Sequence, residues 1–508
     1  TTLNIRLRAW IGSLESYVSS WIEQKPYLEE HADLLARAVR KARHQMPAEQ
    51  ESLALQLRLD GANSYQRLIG TVTSQLKVPW FDGLTGGDGS AEGTLVPIQT
   101  IQNLRTTADR SIREAAQKAE IEGWRSIESV AAAAINSVKG TGLTLAQRRG
   151  WDSVLDVALE RNRIDRAVLD AMMSSIEAAF PIFRRYLIAK ATLLGLDRLA
   201  WWDLFAPVSL PGREVRTFTW REATDFIIEN FEGFSGALGR FAQGAFEGQW
   251  IDAGPRDGKR GGAFCAPVPA REESRILMNF DGSLDQVFTL AHELGHAYHN
   301  HAQRGLPAIR RGAPSTLAET ASIFCETLIV ERMLQQESEA EEIEILEAAL
   351  GGATQVCVDI SSRFRFETAV LERRAEKDLT PSELCDLMTT AQNETYGEAV
   401  DRETYHPYMW VWKPHYYMST NHYYNFPYAF GHLFGLGLVA RYREEGAAFI
   451  PNYDQLLRST GESDARPLAM RFGIDLADEA FWASSLGLVE QQVRRFETIA
   501  ERHAGAGS

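Results

Sequence analysis

Residues 291–301 read AHELGHAYHNH, from Ala291 to His301, and hold four of the chain's eleven histidines. On a helix, side chains four residues apart leave from one face, so His292 and His296 can reach a single ion. Glu293 lies about 100° round the axis, misses that ion, and faces the water that the ion would polarise. Two neutral imidazoles to bind the ion, with a carboxylate next along to take a proton from its water, are what a hydrolytic zinc site needs. The bland alternative is a polar helix with histidines at the surface. The stripe Leu284, Val287, Phe288, Ala291 and Leu294 argues against it, because it makes the helix a packed one. Polar groups imposed on a packed helix need partners, and Gly295 leaves room for a close neighbour.

Around that helix, 508 residues exceed what one core usually reaches, which favours two lobes or one large elongated domain; the division expected is a helical lobe over 1–160 and a catalytic one over 161–508. Fractions of 44% hydrophobic and 24% charged residues are those of an ordinary globular chain. A net charge of -15 repels polyanions and disfavours nucleic acid as the main partner. Cys265, Cys325, Cys357 and Cys385 are widely spaced without a CxxC pair, so they read as reduced thiols of a cytoplasmic protein. The opening TTLNIRLRAWIGSLESYVSSWIEQ lacks the apolar run of a signal peptide. No window reaches the roughly 18 to 20 apolar residues of a membrane span, FGHLFGLGLVA coming nearest, so no membrane partner is expected.

Helical periodicity fills residues 1–78, as in Leu34, Leu35, Ala38 and Val39, then Leu53, Leu55, Leu57 and Leu59. Glycines crowd residues 79–97, which predicts a long loop. Helices are expected again over 98–138 and 144–200, with a break at Gly140 and Gly142, and near 220–247. Gly254, Gly258, Gly261 and Gly262 mark a second flexible segment, and SRILMNFDGS after it is the strand candidate. Residues 315–400 and 432–503 are helical in pattern, and the final AGAGS is expected to fray. No repeat of 20 to 50 residues is present. The fold class is mostly α, with a small β-sheet beside residues 275–298.

A catalytic zinc keeps three protein ligands and an open position, so a third ligand must lie downstream. The pattern H-E-x-x-H-x-x-G-x-x-H needs glycine at 299 and histidine at 302, where the chain has His299 and Ala302. His299 and His301 therefore read as surface or supporting residues. A glutamate near 315 or 316, the thermolysin-like and large-aminopeptidase spacing, is also absent: Ser315 and Thr316 stand there. The next helix, PSTLAETASIFCETLIVERM, offers Glu319 and, seven residues on and on nearly the same face, Glu326. Glu319 reads either as a ligand or as a capping box with Thr316. Glu326 could hold the distal nitrogen of a ligating imidazole.

GKRGGAFC at 258–265, RILMNF at 275–280, AHELGHAYHN at 291–300 and LAETASIFCE at 317–326 together resemble the thimet oligopeptidase and oligoendopeptidase F family of zinc peptidases. The resemblance covers most of residues 160–440, and the N-terminal helices in general character. It implies that Glu319 joins His292 and His296 around one zinc ion, with Glu326 behind them. The loop from His296 to Glu319 is shorter than in the best-known members.

Between Tyr405 and Tyr428 lie seven of the chain's 15 tyrosines; an aromatic core would account for the rings of this segment but poorly for histidines 406, 415, 422 and 432. Attack of water on a peptide carbonyl creates an oxyanion, which phenol O–H or imidazole N–H donors stabilise. PHYY at 414–417 resembles the family's P-H-F-Y and gives His415. YYNFPY at 423–428 resembles its F-Y-x-Y-x-Y and gives Tyr424 and Tyr428, with Phe426 at a usual tyrosine position and MSTNH at 418–422 as added length. The expectation is a zinc endopeptidase of short peptides, with two helical lobes around a deep substrate channel and Glu293 as the proton carrier. The glycine loop would touch substrate, and RILMNF would offer an edge strand. A helical zinc carboxypeptidase and a non-catalytic peptide-binding protein are the rival readings.

Overall fold

The computed structural model describes residues 2–80, 94–210, 217–335 and 338–503. Helices dominate them, joined by five short strands among the described residues, as the periodicity predicts. Contacts divide the chain into two compact units, one of residues 1–161, 196–207 and 359–426, the other of 162–195, 208–358 and 427–508.

In the first unit, helices Ala32–Arg43, Ala48–Asp60 and Ala62–Gln75 follow the expected pattern. Val39 is buried, but Leu53, Leu57 and Leu59 lie exposed. Residues two apart sit about 200° round a helix, so a leucine run at that spacing spreads over opposite faces. Strands β1 (Lys77–Trp80) and β2 (Thr94–Pro97) pair antiparallel. The centre of the expected long loop, 81–93, lies outside the described residues, as does the final AGAGS.

The break expected at Gly140 and Gly142 does not occur, for Glu128–Arg148 is one helix of 21 residues. A Cβ at 142 would overlap the His422 ring, and one at 140 would come within 2.6 Å of the Arg374 guanidinium. These glycines admit neighbours instead of ending the helix. Segment 196–207 is held by fully buried Asp203, which accepts hydrogen bonds from Arg110 and Arg113 at 2.9 Å.

In the second unit, the helix expected near 220–247 is two, Trp220–Phe234 and Gly236–Glu247. Ser235 adopts an extended backbone between them and its side chain accepts from Ala237 N, which starts the second helix as an N-cap. Strands β3 (Ile251–Asp252), β4 (Phe264–Val268) and β5 (Glu273–Leu277) form a sheet in the order β3-β5-β4. The RILMNF strand is thus central, not an edge, because it pairs parallel with β3 and antiparallel with β4. The outer strands of the sheet are β3 and β4. The histidine helix, Leu284–Ala302, packs on this sheet and on Thr320–Met333, and helices Phe426–Glu445, Ile450–Ser459 and Glu479–His503 complete the unit. No helix among the described residues is long and apolar enough to cross a membrane.

Candidate metal centre

Ser283 starts the histidine helix by accepting a hydrogen bond from Gln286 N. Ten of the helix's residues are buried, among them Val287, Ala291 and Leu294, so the apolar stripe does face a core. One turn apart, the rings of His292 and His296 stand 4.9 Å from each other at 83°. Each presents Nε2 to the same atom, Oε2 of Glu319, at 3.3 Å. The three donor atoms lie within 4.8 Å of one another. A tetrahedral zinc with bonds of about 2.0 to 2.1 Å separates its ligand atoms by about 3.3 Å, so the residues present fit that ion.

Glu319 sits at the junction between the short helix Ser315–Ala318 and Thr320–Met333, with φ -89° and ψ 3°. No capping box forms with Thr316, whose hydroxyl donates instead to Asn162 O at 2.7 Å. Ser322 Oγ donates to Glu319 Oε2 at 2.8 Å and steadies the carboxylate. Glu326, two turns on, lies 2.9 Å from His292 Nδ1 through Oε2. A carboxylate there makes Nδ1 the protonated nitrogen and leaves Nε2 as a lone-pair donor toward the cluster centre.

Two glycines bring the helices this close. A Cβ at Gly295 would lie 2.5 Å from Ala321 O, and one at Gly431 would lie 2.9 Å from Glu319 Cβ. Sequence reasoning anticipated Gly295 and missed Gly431. Its signal was the pair Gly431 and Gly435, four residues apart on one helical face, the second of which meets Ile323 at 2.8 Å.

Burial disfavours charge on His292, but hydrogen bonds to Glu319 and Glu326 outweigh it and lift its pKa to about 10. Burial also opposes ionisation of Glu319, yet hydrogen bonds from His292 and His296 hold it far below the usual carboxylate range. The cluster is therefore built to concentrate positive charge between two imidazoles and a carboxylate. Glu293 is buried, and its Oε2 has no hydrogen-bond partner in the chain. Burial raises its pKa, against the opposing pull of His296 and His292. A carboxylate left with an unused oxygen beside a cation site can take a proton from a water bound there.

An open cavity of about 410 Å³ exposes His292, Glu293, His296 and Glu319 beside Phe264, Cys265 and Pro267 of β4. Asn279 Nδ2 donates to Arg260 O and Gly262 O at 3.0 and 3.2 Å, tying the glycine loop to the strand after it. Gly258 and Gly262 have φ of 75° and 81°, which explains why glycine stands there. Burial pushes the Cys265 thiol up to about 12, which excludes it as a nucleophile near neutral pH.

His299 is not a surface residue: it is buried, with Nε2 2.7 Å from Thr460 Oγ1, and burial pushes its pKa down to about 4. His301 packs its ring against Phe241 at 4.8 Å. Tyr428 belongs to this second unit, near the start of Phe426–Glu445, with 41% of its surface exposed. His415 and Tyr424 belong to the first unit, where their rings stack at 6.2 Å and 20°. His415 Nε2 is buried and makes no hydrogen bond within the chain. Burial, reinforced by Arg363, Lys139 and Lys413, pushes His415 down to about 2, so its imidazole is neutral. Lys413, beside it and over the Trp412 ring at 3.8 Å, is pushed by burial to about 7. That lysine carried no signal in the sequence beyond its place next to His415.

Among known proteins, the sequence profile described as peptidase family M3 matches residues 103–488, and the one described as oligopeptidase F matches 15–77. An oligoendopeptidase F homolog of Lactococcus lactis is 25% identical over 79% of this chain and 66% of its own length. Oligopeptidase PepF of Bacillus subtilis is 24% identical over 78% of this chain and 59% of its own length. The chain thus spans less than two thirds of the length of these relatives. In fold, it is similar to the crystal structure of oligoendopeptidase-F from Enterococcus faecium, with a TM-score of 0.75 and 21% identity, over 97% of this chain and 83% of that one.

Proposed function

The chain belongs to peptidase family M3, and from that premise we propose that it is a zinc-dependent oligoendopeptidase, hydrolysing internal bonds of short peptides. The observation that carries this reading is the convergence of His292 Nε2, His296 Nε2 and Glu319 Oε2 beside a buried carboxylate, Glu293, with an unused oxygen. His292, His296 and Glu319 would hold the ion, and Glu326 would orient His292 through Nδ1. Zinc, when bound, supplies Lewis acidity that makes water more acidic and polarises a carbonyl. The names of the relatives, oligoendopeptidase F among them, support the endopeptidase over other hydrolases.

Glu293 takes the proton of the attacking water and passes it to the leaving amine. Its burial favours this task, since it raises the carboxyl's proton affinity. His415, Tyr424 and Tyr428 donate to the oxyanion. A neutral His415 does so from Nε2–H, the atom that has no partner in the chain. The outer edge of β4, whose residues line the cavity, pairs with the main chain of an extended substrate. Such recognition reads backbone more than side chains.

An internally quenched peptide blocked at both ends tests the reading. Cleavage that stops with a chelator and returns with zinc is expected. Trimming confined to peptides with a free carboxyl end would make the protein a carboxypeptidase, and a zinc-loaded chain that binds peptides without cutting them would make it a binding protein.

A further inference from the structure

Behind the aromatic segment, the first unit buries an ion pair that the reaction does not use. Lys139, in the helix Glu128–Arg148, is fully buried, and its Nζ lies 2.5 Å from Oε1 of Glu367, itself 2% exposed. Nζ also lies 3.3 Å from Nδ1 of His422. A lysine has only donors, so His422 accepts there, and burial with Lys139 beside it keeps that imidazole neutral. The ring of His422 fits because residue 142 is glycine.

A buried ion pair is weak evidence for stability, because desolvation offsets most of the attraction. Its third contact gives it another role. Glu367 Oε1 accepts a hydrogen bond from Tyr423 N at 3.0 Å, and Tyr423 has φ 53°. A bulky residue is disfavoured in that left-handed region unless its surroundings impose it. The same turn is gripped elsewhere: Asn63 and Gln66 bond Ser419, and Arg161 bonds Thr420 O and Asn421. On either side of it stand His415 and Tyr424, whose rings stack. The backbone sense at 423 decides the direction in which the next side chain leaves.

We propose that Lys139 and Glu367 are positioning residues: through the Tyr423 amide, the buried pair holds the 418–425 turn and so sets where His415 and Tyr424 present their donor atoms. The inference rests on the reading that these two stabilise the oxyanion. It assigns a purpose to the added length MSTNH, which forms the gripped part of the turn, and to Gly142 within a helix.

The test compares two double variants of the zinc-loaded full chain. Lys139→Met with Glu367→Leu replaces the pair by apolar groups of similar size, leaves no buried charge, and is expected to fold; it removes the acceptor for Tyr423 N. Lys139→Met with Glu367→Gln keeps an acceptor there. The first should lose kcat on a quenched peptide by about tenfold or more, as for a displaced oxyanion donor, with KM within about twofold and zinc content unchanged. The second should recover most of the loss. Equal activity in the two variants, whether both normal or both reduced, would overturn the proposal. Should the first fail to fold, the second against the wild type decides: a loss of tenfold or more despite the retained acceptor counts against it, and near-normal kcat supports it. His415→Ala and Tyr424→Phe separate the two layers, since normal kcat in both would remove the oxyanion reading itself.

Discussion

Glu293 and Glu326 are two glutamates close to the histidine pair, and their surroundings assign them different work. Glu293 has an oxygen without a partner, whereas Glu326 spends one on His292 Nδ1. Glu293→Gln removes the proton carrier without touching a donor of the cluster. A loss of kcat of about 10² to 10⁴ is expected, with zinc content by mass spectrometry unchanged; retained turnover would displace Glu293 from its role. Glu326→Ala should act on the metal instead. Loss of a carboxylate behind a ligating histidine typically weakens metal binding about 10- to 100-fold, and competition with a chromogenic chelator measures it. At this scale the sequence was most legible, because H-E-x-x-H encodes its geometry in spacing alone. Less legible were residues whose role depends on tertiary neighbours. Thr316 matched a capping signature yet bonds Asn162 O, and His299, three residues beyond His296, turns into the interior toward Thr460.

At the scale of elements, glycine was where reading the sequence went astray. Gly140 and Gly142 looked like breakers, but a glycine also permits close approach, and only the partner's position distinguishes the two. His422 and Arg374, far along the chain, supply that partner. The strand RILMNF was found, while its central place was not, since strand order depends on β3 and β4. The same physics yields a prediction for the helix that carries Gly431. A methyl there meets Glu319 Cβ at 2.9 Å, and in a packed site such overfilling costs about 1 to 3 kcal/mol. Gly431→Ala should therefore weaken zinc binding and lower the melting temperature together. Gly352, in the helix Glu339–Thr354, has nothing within 4 Å of an added Cβ. Gly352→Ala should leave zinc affinity unchanged and raise stability by up to about 1 kcal/mol. Equal effects in the two variants would mean that close helix approach does not set the carboxylate.

For the molecule as a whole, periodicity gives the helices but not which segments gather. Residues 196–207 and 359–426 join 1–161 through pairs such as Arg113 with Asp203 and Lys139 with Glu367, which no local window contains. Folding of each unit buries histidines as neutral groups, and acid should expose the consequence. Burial lowers the pKa of His299 to about 4 and of His415 to about 2, and puts His422 well below its ordinary value. In the unfolded chain each titrates near about 6.5. The unfolded state therefore binds protons that the folded state refuses, so stability is full above about pH 6.5 and falls as pH drops toward the folded values. Burial likewise lowers His301 and His432 to about 4, and since each refused proton steepens the fall by about 1.4 kcal/mol per pH unit, the five together give about 7. The metal-free chain isolates this effect, because acid-driven release of an ion would add its own loss. There, His292 is protonated in both states below pH 6.5, since its folded pKa is raised to about 10, and adds no slope. Denaturant midpoints between pH 7 and 5 should decline steeply, and His422→Gln should remove about a fifth of the decline. A flat profile would mean that these imidazoles accept protons in place, and that the neutral N–H donor assigned to His415 does not survive mild acid.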